Sequence, residues 1–472
     1  MSSTQPTATA PASQRSKRPS LKSGYIAVLT LCSAQGICFG QPLPDLVVST
    51  EDWSRSDVTV APALARQAEP CRIFVRVHNN GEAQAKNVRL QLVIEQPTAP
   101  DPWTSELRLD SVPGQSSVVD AIQFKPEDNG VHQVTVTVDP EDAVRETNDA
   151  NNSATMSFPV VRRNVFLLYH GNSTTPLMDM RYQTHLTFDG DAEELAYWTR
   201  RGVRLLLQRV GTPTRSNVAT VEQRVAYWAE TGRDLIIDEL LNLGGEEGVV
   251  MARAFKAFKE KYPHIWLAVW CAPAPFESYH QGLRYVDAVL PEIYLRHEDQ
   301  YRNSDWHLAA HRQGGFADRT FITLAVDSRR GEDEDGRKTP RWSSDRAEIE
   351  RQIRSLRAAR PDMMGVALYA NFAEQHLIAA ADDLFWRYWI MPVLTLEQAA
   401  DSETVTMRNI GAMDARDVVV AGRRGSRVWE KKLPLLEAGT SLELPIPDVV
   451  QTVRARPAPA LTLLDDKSSV AD

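Results

Sequence analysis

The sequence predicts a multidomain chain: a β-sandwich, then a (β/α)8-type barrel, complete or one strand short, then a small second β-sandwich. Three observations predict it. Residues 43–162 hold short strands broken by Gly, Pro and Asn turns, residues 163–390 alternate apolar strands with helices, and residues 391–456 return to the first pattern. A chain of 472 residues is also too long for one ordinary core, because single cores stop growing at about 250–300 residues.

The N-terminal 40 residues read as a signal peptide. Arg15, Lys17, Arg18 and Lys22 precede the short apolar run 24–40, and no acidic residue is present. That is a basic region followed by a hydrophobic one, so the protein is expected to be exported. An uncleaved anchor is the alternative. No other run approaches about eighteen apolar residues, so no further membrane span is expected. The remainder carries 49 basic and 62 acidic residues, a net charge of −13. Such a balance disfavours nucleic acid, whose phosphates supply much of the affinity. Cys71 and Cys271 fall in different predicted domains, so no disulfide framework is expected.

In the first domain, CRIFVRVHN (71–79), NVRLQLVIE (87–95), HQVTVTVD (132–139) and their neighbours alternate as half-buried strands do. Six or seven such strands imply a sandwich. Asn80-Gly81 suits a hairpin turn. The Asx-rich stretch 139–152 suits side chains that bond their own backbone. Its oxygens could also hold Ca²⁺, but the spacing is not that of a calcium loop, and the turn reading is preferred.

Ordered motifs run through this domain: Pro44-Asp45-Leu46-Val47-Val48, Val77-x-Asn79-Asn80-Gly81-x-x-x-Ala85-x-Asn87-Val88, Val138-Asp139-Pro140 and Glu146-x-Asn148-x-x-Asn151-Asn152. On these residues the domain resembles the bacterial cell-adhesion-related (CARDB) family. The resemblance implies an immunoglobulin-like sandwich from exported proteins, with no catalytic activity. At a shift of 330, Val405-x-Met407-x-Asn409-x-Gly411 and Ala415-x-Asp417-Val418 repeat the second motif. Residues 391–456 are therefore expected to be a shorter, related sandwich lacking the Glu-x-Asn-x-x-Asn-Asn hairpin. Residues 457–472 are expected to form a loose tail.

The central region contains a thirty-residue echo. LAYWTRRGVRLLLQ (195–208) and VAYWAETGRDLIIDE (225–239) each run from a helical tail through Gly202 or Gly232 into an aliphatic strand. Such a period is one β-α unit. Seven strands are counted, at 165–170, 203–208, 234–239, 265–270, 286–295, 320–327 and 364–370. The eighth is expected at Thr184–Phe188, unless the barrel is incomplete. An open doubly wound sheet is the alternative; the absence of a Gly-rich nucleotide loop after the first strand favours the barrel. Asp345 with Glu348 predicts an N-cap for a helix over 345–359.

Barrel active sites lie at the C-terminal strand ends. Those ends carry His170, the pair Asp238 and Glu239, Trp270, Glu292 with Tyr294, Asp327, and Tyr369 with Asn371. Acids and aromatics at one mouth suit glycoside hydrolysis, which needs a carboxyl proton donor and a second carboxylate as nucleophile or base. We assign Glu239 as general acid, Glu292 as nucleophile or base, and Asp238 as an orienting residue. His170, Trp270, Tyr294, Asp327, Tyr369 and Asn371 are expected to bind substrate. The region resembles barrel glycosidases at fold level. Asp238-Glu239 resembles the Asp-Glu pair of substrate-assisted hexosaminidases, where the Glu is the acid and the Asp orients the acetamido group.

Other patterns carry less. Trp198, Trp228 and Trp266 are expected to be structural. His307 and His311 are spaced for chelation but lack the HExxH glutamate, and His170-Gly171-Asn172-Ser173 is followed by no G-x-S-x-G elbow. Residues 328–341 read as a charged surface loop at the rim. No metal or cofactor is expected, and carbohydrate is the expected partner. The sequence thus predicts an exported glycoside hydrolase-like protein acting on or binding polysaccharide. Its alternative is a non-catalytic surface adhesion or glycan-binding protein with a degenerate barrel. A peptidase or esterase ranks third.

Overall fold

The computed structural model describes residues 42–50, 56–170, 180–188, 192–208, 223, 226, 232–240, 245–271, 282–292, 309, 311–327, 330–332, 338–340, 345–397, 404–424, 427–445, 452–455 and 462–464. The expected signal segment lies outside them.

Nine strands build the first sandwich: β1 (Leu46–Val47), β2 (Val58–Ala61), β3 (Ala65–Arg66), β4 (Cys71–Asn79), β5 (Ala85–Glu95), β6 (Trp103–Val112), β7 (Ser116–Phe124), β8 (Gly130–Val138) and β9 (Ser153–Val161). One sheet has the order β3-β9-β8-β5-β6; in the other, β4 pairs with β1 and β2 and with β7. Alternation does the folding. Ile73, Val75 and Val77 from one sheet and Leu90, Leu92, Val134 and Val136 from the other are buried together. Burial of such side chains stabilises by about 1.5–3 kcal/mol each. The Glu146–Asn152 motif holds the short β1 in place. The Glu146 carboxylate accepts from the Leu46 N–H and from Asn152 Nδ2, and Asn151 Nδ2 donates to Asp45 Oδ1 at 3.1 Å.

The central sheet is parallel and eight-stranded: β10 (Phe166–His170), β11 (His185–Phe188), β12 (Arg204–Leu207), β13 (Leu235–Leu240), β14 (Leu267–Cys271), β15 (Ala288–Pro291), β16 (Thr323–Asp327) and, after the hairpin β17 (Arg330–Glu332) and β18 (Lys338–Pro340), β19 (Gly365–Phe372). The order β15-β14-β13-β12-β11-β10-β19-β16 returns on itself. An isolated parallel bridge between Val289 and Thr320 links β15 to the segment just before β16 and nearly closes the barrel. The strand expected at Thr184–Phe188 is β11, so the barrel has eight strands rather than seven. The stretch 328–341, expected to be a loop, contains the β17–β18 ribbon.

Helices α1 (Ala192–Arg200), α2 (Gly245–Lys261), α3 (Arg346–Ala359) and α4 (Gln375–Phe385) follow strands of the barrel. Asp345 caps α3, its carboxylate accepting from the Glu348 N–H at 2.8 Å. In the thirty-residue echo, Gly202 and Gly232 have φ of +67° and +73°, the left-handed conformation that ends helices and favours glycine. Trp198 is buried in the core, as expected, while Trp228 lies outside the described residues.

The second sandwich contains β20 (Val393–Glu397), β21 (Thr404–Asn409), β22 (Ala415–Arg424), β23 (Arg427–Leu436), β24 (Ser441–Pro445), β25 (Thr452–Ala455) and β26 (Thr462–Leu464). Its sheets are β24-β21-β20-β26 and β23-β22-β25. Within the expected loose tail, Thr462–Leu464 is therefore a strand, paired in parallel with β20. The 330-residue repeat extends to atomic detail. Asn79 Oδ1 accepts from Asp45 N and Gly81 N, and its Nδ2 donates to Ala83 O and Val112 O. Asn409 Oδ1 accepts from Val393 N and Gly411 N, and its Nδ2 donates to Met413 O and Leu436 O. Asn87 and Asp417 share a φ of +51°. A Cβ on Gly81 would lie 2.3 Å from Leu43 O, and one on Gly411 2.0 Å from Met391 O.

The two sandwiches touch. Asp414 accepts from Arg162 and from Asn129 Nδ2, both at 2.9 Å, and from Ala438 N at 2.8 Å. Nearby, the fully buried Arg357 of α3 donates to the carbonyls of Met363 and Ile410. Burial lowers its pKa to about 9. Among the described residues, no helix is long and apolar enough to cross a membrane.

Candidate functional site

Alternation decides which residues face the barrel interior. Phe166, Leu168, Leu206, Ile236, Ala268, Trp270, Ala288, Leu290 and Ala367 pack together inside, whereas Leu167, Tyr169, Leu324 and Leu368 pack against helices. His170 continues the inward set on β10, as Tyr369 does on β19.

At the C-terminal mouth these residues meet. The His170 and Tyr369 rings stack at 5.3 Å with planes 13° apart, and the Trp270 ring meets His170 edge-on at 5.4 Å. Tyr369 is half-buried. His170 and Trp270 are buried, at 7% and 1% exposure. Trp270, expected to bind substrate, is thus a buried wall of the interior. What it offers is its indole N–H: neither Trp270 Nε1 nor His170 Nδ1 has a hydrogen-bond partner. Burial lowers the His170 pKa to about 4, so the imidazole is neutral at neutral pH. Thr187 Oγ1 and Thr323 Oγ1, on inward positions of β11 and β16, are likewise buried without partners. Buried polar atoms of this kind are uncommon, and four occur in one barrel interior.

Acidic residues occupy strand-end positions at the same mouth. Glu292 follows β15 directly, is half-buried, and its N–H donates to Cys271 O at 2.9 Å. Burial first, and the Glu292 charge second, push the Cys271 thiol up. In the ladder between β13 and β14, Ile237 pairs with Val269 and Leu240 with Cys271. Asp238 and Glu239 therefore stand together opposite Trp270, the two-against-one count of a β-bulge. A second bulge lies between β16 and β19, where Ala325 pairs with Tyr369 and Asp327 with Phe372. It leaves Ala370 and Asn371 as the extra stretch beside Asp327. For Asp238, Glu239, Asp327 and Asn371 the structure describes the backbone. Tyr294 lies outside the described residues, as does His307. His311 is buried against Phe316. Among the described residues no group of three His, Cys, Asp or Glu could hold a metal, and Cys71 and Cys271 are free thiols.

The bulges went unseen in the sequence, since each adds one residue without a compositional mark. Also unseen was the opposite, N-terminal end of the barrel. There Phe166 stacks on Phe321 at 4.2 Å and on Trp266 at 5.6 Å, and Trp266 stacks on His185 at 4.5 Å. The signal was available: an aromatic stands at or just before the start of three strands.

Residues 43–156 match the family model described as CARDB, so the chain carries a CARDB domain there. Among solved structures it is similar to a CARDB domain from Pyrococcus furiosus in complex with di-metal ions, at 25% identity over 25% of this chain and 90% of that chain, with a TM-score of 0.20. It is also similar to beta-glucuronidase 2 of Bacteroides uniformis, at 9% identity over 89% of this chain and 63% of that chain, TM-score 0.33. The beta-D-mannosidase of Dictyoglomus thermophilum matches at 10% identity over 83% of this chain and 62% of that chain, TM-score 0.34. The chain spans less than two thirds of the length of either enzyme. No curated protein matches it.

Proposed function

We propose that the protein is an exported glycoside hydrolase-like protein that acts on polysaccharide at the C-terminal mouth of its barrel. The observation that carries this reading is the pairing of spare polar atoms with acids. His170 Nδ1 and Trp270 Nε1 are buried without partners on the inward face, under a rim that bears Asp238, Glu239, Glu292 and Asp327. A neutral imidazole and an indole N–H match the hydroxyls of a sugar. Carboxyl groups match the proton donor and the nucleophile or base that glycosidic cleavage requires. In this reading Glu239 protonates the leaving oxygen, Glu292 attacks the anomeric carbon or activates water, and Asp238 orients the substrate. Tyr294, Asp327, Tyr369 and Asn371 complete the binding surface.

The CARDB domain favours a second reading, glycan binding at a surface without turnover, because the resemblance to that family implies no catalytic activity. A screen of the chain against labelled oligosaccharides separates the two. Release of new reducing ends supports the enzyme; retention of intact glycan supports the binder. Neither turnover nor retention across neutral and acidic glycans would overturn both.

A further inference from the structure

At the N-terminal end of the barrel, a cleft of about 710 Å³ opens between the barrel and the first sandwich. Its size falls within the range of ligand pockets, about 300–1,000 Å³. Pro62, Leu64 and Arg66 come from the sandwich, and Phe166, His185, Arg204, Trp266 and Phe321 from the barrel. This end of such a barrel ordinarily serves stability, its interior layers filled by branched aliphatic residues. Here the lowest layer is Phe166, Arg204, Trp266 and Phe321, from alternate strands, with His185 stacked on Trp266. Trp266 and Phe321 are half-buried and line the cleft. Trp266 thus packs in the interior, as expected, and also borders the cleft.

The charged groups around these rings are already matched. Arg66 pairs with Glu69 at 2.8 Å, Arg204 with Asp234 at 3.0 Å, Arg360 with Asp362 at 3.1 Å, and Asp318 with Arg319 at 3.3 Å. Such a rim offers donors and acceptors with no surplus charge. An aromatic floor inside a rim whose charges are paired fits a ring that has apolar C–H groups and a hydroxylated edge. We propose that this cleft is a second ligand site that takes a neutral sugar ring, separate from the mouth at the other end of the barrel. A carbohydrate held there would touch sandwich and barrel at once, which gives the first sandwich a part in binding.

Isothermal titration of the full chain with cellohexaose, xylohexaose, mannohexaose and maltohexaose tests this, with benzoate and a hexagalacturonate as anionic comparisons. The expected result is saturable binding of at least one neutral hexasaccharide. Trp266→Leu should weaken one site per chain at least tenfold. Asn164→Trp, at an exposed position lining the cleft, should do the same while leaving the aromatic floor intact. It keeps the test valid if Trp266→Leu does not fold. Three results would overturn the proposal: no neutral hexasaccharide binds, an anionic probe binds better, or Asn164→Trp leaves every binding event unchanged. Turnover at the mouth is a separate readout, so failure here leaves the mouth reading standing, and the reverse.

Discussion

At the scale of single residues, the mouth is defined by groups whose burial sets their chemistry. His170 shows it most directly. Burial lowers its pKa to about 4, against about 6.5 for a free imidazole. The unfolded chain therefore takes up this proton more readily than the folded one. The stability tied to a neutral His170 is fully present above pH ~6.5 and is lost as pH falls toward ~4. The shift corresponds to roughly 3 kcal/mol at most. His170→Phe keeps a ring against Tyr369 and removes the titration. Its urea midpoint should fall less than the wild type's between pH 7 and pH 4.5, and an equal fall would contradict the burial. Much of this site was legible, because a strand-end position and the parity of the residues before it place a side chain inward. That Trp270 is buried was not legible, because parity gives direction but not depth. Trp266 was expected to be structural and does pack on Phe166 and His185; that it also borders a cleft beneath the first sandwich was not legible, because nothing in one strand reveals what stands opposite it.

At the scale of elements, the buried asparagines explain the internal repeat. Asn79 and Asn409 each hydrogen-bond four backbone groups through one side chain. Removing either side chain leaves those groups buried and unpaired, at about 1–3 kcal/mol for each group not rescued by relaxation. Asn79→Ala and Asn409→Ala should each destabilise the host sandwich by ~3 kcal/mol, measured by denaturant unfolding. A large loss in one and none in the other would break the equivalence. The repeat was visible in the sequence because the same backbone demand selects the same residue types at the same spacing. The strand β11 was hard to count for the opposite reason. Its inward residues are His185 and Thr187, so it lacks the continuous aliphatic run that marks its neighbours.

At the scale of the molecule, Asp414 ties the two sandwiches through Asn129 and Arg162. None of this was legible, because the partners lie 285 and 252 residues away and no local pattern announces them. The carboxylate is almost wholly buried, and removing one partner of such a pair costs far more than the pair contributes. Asp414→Ala should lower the unfolding midpoint and split one transition into two as the sandwiches uncouple. A single transition at an unchanged midpoint would show that the sandwiches do not stabilise each other there. The contact joins the two sandwiches that precede and follow the barrel in the chain, and Asp238, Glu239, Glu292 and Asp327 occupy positions at the C-terminal ends of the barrel strands. The most direct test is the rate of reducing-end release from a responsive polysaccharide by the wild type, Glu239→Gln and Glu292→Gln. The account predicts measurable release by the wild type and a fall of at least about a hundredfold in each variant, the scale of a lost general acid or base. Wild-type rates in both variants would contradict it.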